Sequence, residues 1–367
     1  MFSKTKKLKI ATVFSGIGAF EQALIKENVP FEILFACDNG EREIGMTTEE
    51  IKENIKKEAL SGNEIDAYIK NLYTKVKKPN YVKQSYFANY EIEEGKWFED
   101  IRFIDGKRYE NRVDVFVGGS PCQSFSNMGK RGGLEDARGT LFYEYARLVQ
   151  EIKPKVFIYE NVPGMLNHDD GKTWRVVRGI FKKLGYIYKY KVLNAADYGI
   201  PQNRNRLFVV GFKEPTNFRF ATKKKLRTAM SDYLEPSVDA RFYLGEKGFK
   251  FVTTNSGRAK VNSSIIRTEK ANQEFNWNGD FVFEPLSKVQ NNYAILARAF
   301  VGEWHGQTGV CRQLTHRECL RLMGYPDTFK IVVPNVPAYR QAGNSIVVNV
   351  MQSIVSQIFK AKEKENA

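Results

Sequence analysis

The stretch DVFVGGSPCQSFS, residues Asp114–Ser126, decides the fold of this chain. Its first part, with Val113, is a short apolar and β-branched run, which is typical of a strand buried on both faces of a parallel sheet. Two glycines then allow a tight turn, and a proline sets the backbone direction just before Cys122. Ligands of open α/β sheets gather outside the carboxyl ends of the strands. The pattern therefore predicts a nucleophile at Cys122, although a buried structural cysteine is an equally ordinary interpretation of that residue alone.

The flanking sequence repeats the alternation of strand and helix. Apolar runs at 8–14, 31–37 and 155–159 predict further strands of one sheet, and a glycine turn after the first of them opens a helix that continues to residue 26. Asp38, at the tip of the second strand, is placed to accept hydrogen bonds from ribose hydroxyls. Glu160 ends another strand and faces the same crevice as Cys122, unless it only caps a helix.

Composition limits the classes of protein and partner. The chain has 367 residues and a formal charge of +15, which favours a polyanionic partner. No apolar run approaches the length of a membrane span and no signal peptide is visible, so we expect a cytosolic protein without a membrane partner. The four cysteines lack paired CxxC spacing, so neither disulfides nor a zinc site is expected. Three histidines and the absence of a Gly-x-Ser-x-Gly elbow disfavour a serine hydrolase.

The rest of the chain divides into an insertion, the remaining sheet and a second domain. The polar segment 40–97 is interpreted as an insertion containing a helix capped by Thr48. A helix at 173–184 and strands at 186–193 and 207–212 follow, and residues 214–312 lose the alternation and predict short irregular strands. Two further helices are predicted: one at 314–327, capped by Thr315 and stopped by Gly324 and Pro326, and one at 341–359, opened by Gly343, Asn344 and Ser345.

Two arginines, Arg204 and Arg206, precede the 207–212 strand at alternating positions, so their side chains are expected on the same side. They form either a surface ion-pair face or a binding fork for carbonyl or phosphate oxygens.

Nine blocks occur along the chain in this order: FSGIGAFE at 14–21, Asp38, Asp100 with Ile101, GGSPCQSFS at 118–126, RGTLF at 138–142, ENVPG at 160–164, QNRNR at 202–206, LTHRECLRLMGYPD at 314–327 and YRQAGNSIVVNV at 339–350. Taken together and in this order, the blocks resemble the cytosine C5 DNA methyltransferases that use S-adenosylmethionine. They cover the chain except for the insertion and residues 214–312. The resemblance implies an α/β fold, a Rossmann-like doubly wound methyltransferase sheet with a small irregular, mostly β target-recognition domain.

The resemblance also implies a role for each matching residue. Cys122 would add to C6 of a flipped-out cytosine, Glu160 would protonate N3, and Arg204 and Arg206 would clamp O2 of the base and hold Glu160. The cofactor S-adenosylmethionine would lie on Phe14, Ser15, Gly16, Ile17, Gly18, Ala19, Phe20, Asp38, Asp100, Ile101, Asn344 and Ser345. The DNA-contacting residues would include Gln123, Ser124, Ser126, Gln202, Arg258 and Lys260. The loop 124–138 is expected to close over the duplex, and no metal is expected.

The implied domains are a catalytic part at 1–234 plus 340–367, a target-recognition domain at 235–312 and a connecting segment at 313–339. By the same resemblance, the expected partner is double-stranded DNA, the protein is expected to be a monomer, and the expected compartment is the bacterial cytosol or nucleoid. Two departures stand out: Ser120 replaces the aromatic residue of many members, and Asn39 replaces the large apolar residue that often stacks on adenine. Two alternatives are a relative that methylates transfer RNA and a binding module without catalysis. The long variable segment favours DNA over transfer RNA as the substrate, and the four catalytic candidates argue against the binding module.

Overall fold

The computed structural model of the protein describes residues 2–120 and 141–361. Its strands, in chain order, are β1 (Leu8–Val13), β2 (Phe31–Cys37), β3 (Trp97–Phe98), β4 (Val115–Gly118), β5 (Val156–Asn161), β6 (Ile187–Asn194), β7 (Gln202–Asn203), β8 (Asn205–Phe212), β9 (Lys260–Val261), β10 (Ile266–Arg267), β11 (Asp280–Pro285), β12 (Gly302–Trp304) and β13 (Gln307–Gln313). Its helices are α1 (Ala19–Lys26), α2 (Thr48–Lys57), α3 (Gly62–Thr74), α4 (Tyr81–Asn89), α5 (Leu141–Ile152), α6 (Lys172–Lys183), α7 (Glu246–Thr254), α8 (Leu286–Val289), α9 (Tyr293–Arg298), α10 (His316–Leu322), α11 (Asn335–Asn344) and α12 (Val348–Lys360). None of these helices has both the length and the apolar character that crossing a bilayer requires.

The chain forms two compact units. The first contains Met1–Leu193, Asn205–Ala221 and Met351–Ala367, and the second contains Asn194–Arg204 and Thr222–Val350. These bounds do not coincide with the expected domain bounds, which rest on the resemblance and stay predictions.

The first unit is built on a seven-stranded sheet with the order β3-β2-β1-β4-β5-β8-β6. Strands β3, β2, β1, β4 and β5 pair in parallel, whereas β8 runs antiparallel to β5. This confirms the predicted Rossmann-like α/β sheet. Its central strands carry apolar side chains on both faces because helices cover both faces of such a sheet.

The core of this unit is dense in aromatic side chains. Every residue of β4 is buried, as its apolar run predicts. Phe116 of β4 stacks on Tyr145 of α5 with ring centroids 5.1 Å apart, and Phe157 of β5 stacks on Phe181 of α6 at 4.8 Å. Offset stacking of this kind adds to the free energy gained by burying the ring area. The central strands, and therefore their carboxyl ends, are held by a continuous core.

The second unit has a smaller core. A four-stranded sheet with the order β12-β13-β11-β9 packs under α7, and β7 pairs with β10 as a separate two-stranded sheet. Residues 235–312 contain α7, α8 and α9 beside their strands. Arg312 is fully buried and makes ion pairs with Glu284 at 3.1 Å and Glu318 at 2.8 Å. This network replaces the hydration that a buried guanidinium loses.

The structure corrects two local predictions. The helix α2 is capped by Thr47, not Thr48, in a capping box with Glu50. The residues at 343–345 end α11 rather than open the last helix, which begins at Val348. Ser345 has an extended backbone, so the helix cannot continue through it. By contrast, the cap of α10 at Thr315 is confirmed.

Candidate active site

A carboxylate and a guanidinium meet at the carboxyl end of β5. Nε of Arg206 lies 3.1 Å from Oε1 of Glu160. The two come together because β8 runs antiparallel to β5 with Glu160 opposite Phe208, which brings the start of β8 to the edge where β5 ends. The side chains keep 15% and 20% of their surface exposed, enough for a ligand to reach them. Glu160 and Arg206 therefore form an ion pair that a ligand can still contact, as a binding fork requires.

The backbone after β4 lies directly beside this pair. A Cβ at Gly119 would lie 2.8 Å from Oε2 and 3.0 Å from the carbonyl oxygen of Glu160, so a larger residue cannot stand there without a shift. The Nδ2 amide of Asn161 donates to the carbonyl of Ser120 at 2.9 Å, and the hydroxyls of Ser120 and Tyr159 are 2.7 Å apart. Ser120, which departs from the family pattern, thus has a polar partner on β5. These contacts join the end of β4 to the residues that flank Glu160.

Several predicted residues lie outside the part of the chain that the structure describes. They are Cys122, Gln123, Ser124, Ser126 and the loop 124–138. In the sequence, Ser120 precedes Cys122 by two residues.

Arg204 and Gln202 have other partners than the sequence suggested, and both belong to the second unit. The guanidinium of Arg204 is buried and donates to the carbonyls of Glu269, Gly343 and Ser345, each at 2.8 Å. The side chain of Gln202 is fully buried and donates to the carbonyl of Leu322 at 2.9 Å. The bonds of the Gln202 side chain described here lie within its own unit, and its contact with DNA stays a prediction. The guanidinium of Arg204 thus bonds to backbone carbonyls, whereas that of Arg206 pairs with Glu160.

The glycine turn after β1 is tied to the tip of β2. The amide of Ser15 donates to the carbonyl of Cys37 at 3.1 Å, and the amide of Gly16 donates to Oδ2 of Asp38 at 3.0 Å. The amide of Gly40 donates to Oδ1 of the same carboxylate at 2.9 Å. Desolvation raises the pKa of Asp38, and these two amide donors partly offset that rise. The carboxylate therefore has a fixed orientation between two backbone segments.

This turn fits a ligand that approaches the backbone closely. Gly16 has φ +53°, and a Cβ added there would meet no atom within 4 Å, so open space adjoins its backbone. The predicted Phe14 and Ser15 are half-buried, whereas Ile17, Ala19 and Phe20 are buried in the unit. A cofactor at this turn would therefore contact the backbone and the half-buried Phe14 and Ser15, not the buried side chains that follow. The open glycine and the oriented Asp38 carboxylate fit a ribose-bearing cofactor.

Asp100 and Ile101 follow β3 and are both buried. Oδ1 of Asp100 accepts from the amide and from Nε of Arg102, at 3.0 and 2.9 Å, and Oδ2 accepts from Nη2 at 2.6 Å. Asp100 therefore caps the short 3₁₀ turn that Ile101 begins.

The remaining predicted residues belong to the second unit. Asn344 is exposed at the end of α11, and the hydroxyl of Ser345 lies 2.8 Å from that of Tyr325. Arg258 is exposed and donates to Asn278 at 3.0 Å, and Lys260 is exposed on β9.

The segment interpreted as an insertion contributes residues that sequence reasoning missed. The hydroxyl of Tyr90 donates to the carbonyls of Ile17 and Gly18 at 3.0 and 2.8 Å, and the Tyr90 ring covers Gly18 so closely that a Cβ there would lie 2.3 Å from it. The hydroxyl of Tyr86 donates to Glu21 at 2.5 Å. Burial raises the pKa of Glu21 to about 7, and the Tyr86 hydrogen bond opposes the rise. No local pattern marks these tyrosines, since their partners are distant in the sequence.

Within residues 2–120 and 141–361, no three His, Cys, Asp or Glu side chains come together in a way that could hold a metal ion. Cys37, Cys311 and Cys319 are free and buried.

Comparison with known proteins gives a consistent result. Residues 63–360 match the family model for C-5 cytosine-specific DNA methylase. The chain is 36% identical over 291 residues to the Type II methyltransferase M.HhaI of Haemophilus parahaemolyticus, covering 76% of this chain and 84% of that protein. It is 30% identical over 379 residues to the Type II methyltransferase M2.ScrFI of Lactococcus lactis subsp. cremoris, covering 97% of this chain and all of that protein.

Solved structures agree on the fold. The Entamoeba histolytica methyltransferase EhMeth superposes with a TM-score of 0.67 at 16% identity, over 97% of this chain and 98% of that one. The S. pombe Dnmt2 methyltransferase superposes with a TM-score of 0.64 at 19% identity, over 97% and 99%. The sheet, the order of its motifs and the sequence matches lead to one conclusion: the chain belongs to the C-5 cytosine-specific DNA methylase family.

Proposed function

We propose that this DNA cytosine-5 methyltransferase acts on a flipped-out cytosine of duplex DNA through a covalent adduct with Cys122. The observation that supports this most directly is the accessible pair of Glu160 and Arg206, 3.1 Å apart beside the backbone of Gly119. Cys122 follows Ser120 by two residues in the sequence. We therefore assign its thiolate, the carboxyl group of Glu160 and the guanidinium of Arg206 to one bound base.

The chemistry explains why these three groups are needed. C5 of cytosine is too poor a nucleophile to take a methyl group directly, so the thiolate of Cys122 first adds at C6. Glu160 holds a proton at N3, which draws electrons from the ring during that addition. Arg206 donates to O2 of the base and keeps Glu160 oriented. After the methyl group has reached C5, a base removes the C5 proton and the bond between Cys122 and C6 breaks.

Enzymes of this family use S-adenosylmethionine, which when bound supplies an activated methyl group on a sulfonium. We assign its ribose to Asp38, its methionine part to the turn from Phe14 to Gly18, and its adenine to the buried Asp100 and Ile101. Asn344 and Ser345 stay our candidates for the closing wall of the site.

The proposal departs from the sequence interpretation at Arg204. Its guanidinium is buried and donates to three backbone carbonyls of its own unit, so we assign the base contact to Arg206 alone and a structural role to Arg204. Substitution of Arg204 is then expected to lower the melting temperature of the protein, whereas substitution of Arg206 is expected to lower the rate of methyl transfer.

A base inside a duplex is out of reach of such a site, so the target cytosine must leave the stack. We assign recognition to residues 235–312, where Arg258 and Lys260 are exposed cations, and the catalytic role to 1–234 with 340–367. The net charge of +15 supports binding to a polyanion. We further propose that the protein acts as a monomer.

The test is methyl transfer from labelled S-adenosylmethionine to duplex DNA, with transfer RNA as a parallel substrate. We expect label in DNA and none in transfer RNA. Bisulfite sequencing of the product then identifies the modified site.

A duplex that carries 5-fluorocytosine at this site should trap the enzyme covalently, because fluorine cannot leave C5 as a proton does. Cys122→Ser should abolish both transfer and trapping while cofactor binding persists. Label in transfer RNA alone, or trapping by the Ser variant, would contradict the proposal.

A further inference from the structure

We propose that helix α3 of the 40–97 segment completes the cofactor site, with Tyr73 as a positioning residue for Asp100. The inference rests on the proposed function, because it takes Asp38 and Asp100 as the residues that meet the cofactor. It gives a role to a segment that the sequence marked only as an insertion.

The contact between Tyr73 and Asp100 is buried and direct. Tyr73 lies near the end of α3, and its hydroxyl donates to Oδ2 of Asp100 at 3.1 Å. Burial and the neighbouring Asp100 raise the pKa of Tyr73, so the hydroxyl keeps its proton and acts as a donor. The Tyr73 hydroxyl thus joins helix α3 to the residues that follow β3.

A second set of contacts fixes the same region. Arg42 makes a buried ion pair with Glu99, the residue before Asp100, and donates to the carbonyl of Tyr73 at 3.3 Å. Nδ2 of Asn80 donates to the carbonyl of Asp38 and to Oε2 of Glu99, both at 2.9 Å. Polar groups at this depth are costly unless they are paired. The network therefore constrains the backbone on both sides of the proposed adenine site.

The Asp100 carboxylate shows what Tyr73 contributes. The amide and guanidinium of Arg102 donate to both oxygens of this carboxylate, and the Tyr73 hydroxyl donates to Oδ2. The carboxylate is thus oriented before a ligand binds, which lowers the cost of ordering it on binding. Without the hydroxyl, part of this orientation must be gained when the cofactor binds.

The helix also has an ordinary packing role, which the test must separate from positioning. Ile51 of α2 and Ile69 of α3 form a small core with the Tyr73 ring. Tyr73→Phe keeps the ring in this core and removes only the hydroxyl. Tyr68→Phe is the matched control, because Tyr68 lies on the same helix and its hydroxyl accepts a hydrogen bond from Asn54 at 3.2 Å, within the inserted helices.

The experiment measures binding of S-adenosylhomocysteine by calorimetry for the wild type and both variants, with melting temperatures of each. We expect the Kd of Tyr73→Phe to rise about tenfold, equivalent to about 1.4 kcal/mol, and that of Tyr68→Phe to stay unchanged. In steady-state assays, KM for S-adenosylmethionine should rise by the same factor in Tyr73→Phe. Its kcat at saturation and its KM for DNA should not change.

Two results would overturn the inference. Unchanged binding in Tyr73→Phe shows that the hydroxyl does not position Asp100, and equal weakening in both variants with equal losses of melting temperature shows a packing role alone. Failure of the proposed function looks different, because the wild type itself would then neither bind S-adenosylhomocysteine nor methylate DNA.

Discussion

Replacing Glu160 with Gln separates a catalytic carboxyl group from a structural one. The amide keeps the size of the side chain and still accepts a hydrogen bond from Arg206, but it cannot deliver a proton to N3 of the base. A general acid of this kind contributes about 10²- to 10⁴-fold in rate. At about 1.36 kcal/mol per factor of ten, this is about 3 to 5 kcal/mol of transition-state stabilisation.

The effect of Glu160→Gln on stability should be much smaller. Both partners of the ion pair are partly exposed, and such pairs stabilise a fold by about 0–1 kcal/mol. We therefore expect kcat to fall by two to four orders of magnitude in Glu160→Gln, while the melting temperature and the Kd for S-adenosylhomocysteine stay close to those of the wild type. Single-turnover methyl transfer to a saturating duplex measures the rate without a contribution from product release.

A matched control is available at the opposite end of the sheet. Asp114 precedes β4 and pairs with Lys155 at 2.8 Å, so Asp114→Asn removes an acid of the same sheet far from the carboxyl edge of the strands. It should keep full activity. Arg206→Gln and the double variant complete a cycle: if Glu160 and Arg206 act in one step, the double variant should be little slower than the slower single variant. A single-turnover rate in Glu160→Gln near that of the wild type would refute the assignment.

Three further predictions follow from the geometry of the first unit and the net charge. Gly18→Ala should lower the free energy of unfolding by more than about 2 kcal/mol, because φ is +77° and the new Cβ would lie 2.3 Å from the Tyr90 ring. Gly62→Ala, at φ +48° in open space, is the control that measures the cost of the backbone conformation alone. Equal losses of stability in the two variants, measured by chemical denaturation, would contradict the Tyr90 contact. Glu21 has its pKa raised from 4.5 to about 7, so the folded state binds the proton more tightly and stability should fall as pH rises through that range. Urea denaturation at pH 5 and pH 8 measures the free energy of unfolding, which should fall between these pH values in the wild type but not in Glu21→Gln. An equal change in both proteins would disprove the role of Glu21. Duplex binding should weaken steeply with salt, with a slope of about −0.9 per phosphate contact, and a flat titration would exclude the electrostatic role of the +15 charge.

The sequence by itself determined the sheet and the carboxylates at its edge. Strands β1, β2, β4 and β5 were readable because a strand buried on both faces is a short continuous apolar run, a property of neighbouring residues. Asp38 and Glu160 were readable for the same reason, since each stands where such a run ends. Helix α10 was readable from its cap at Thr315, because capping involves residues within one turn.

The tertiary structure decided which side chains share a partner. Arg204 and Arg206 are two residues apart and chemically identical, yet one donates to carbonyls at 269, 343 and 345 while the other pairs with Glu160. Tyr73 reaches Asp100 from a helix of the 40–97 segment, which the sequence marked only as an insertion. These contacts join residues that are distant along the chain, so no local spacing encodes them. The sequence alone was therefore enough to predict which edge of the sheet carries the site. Long-range packing determines which side chains contribute to that site.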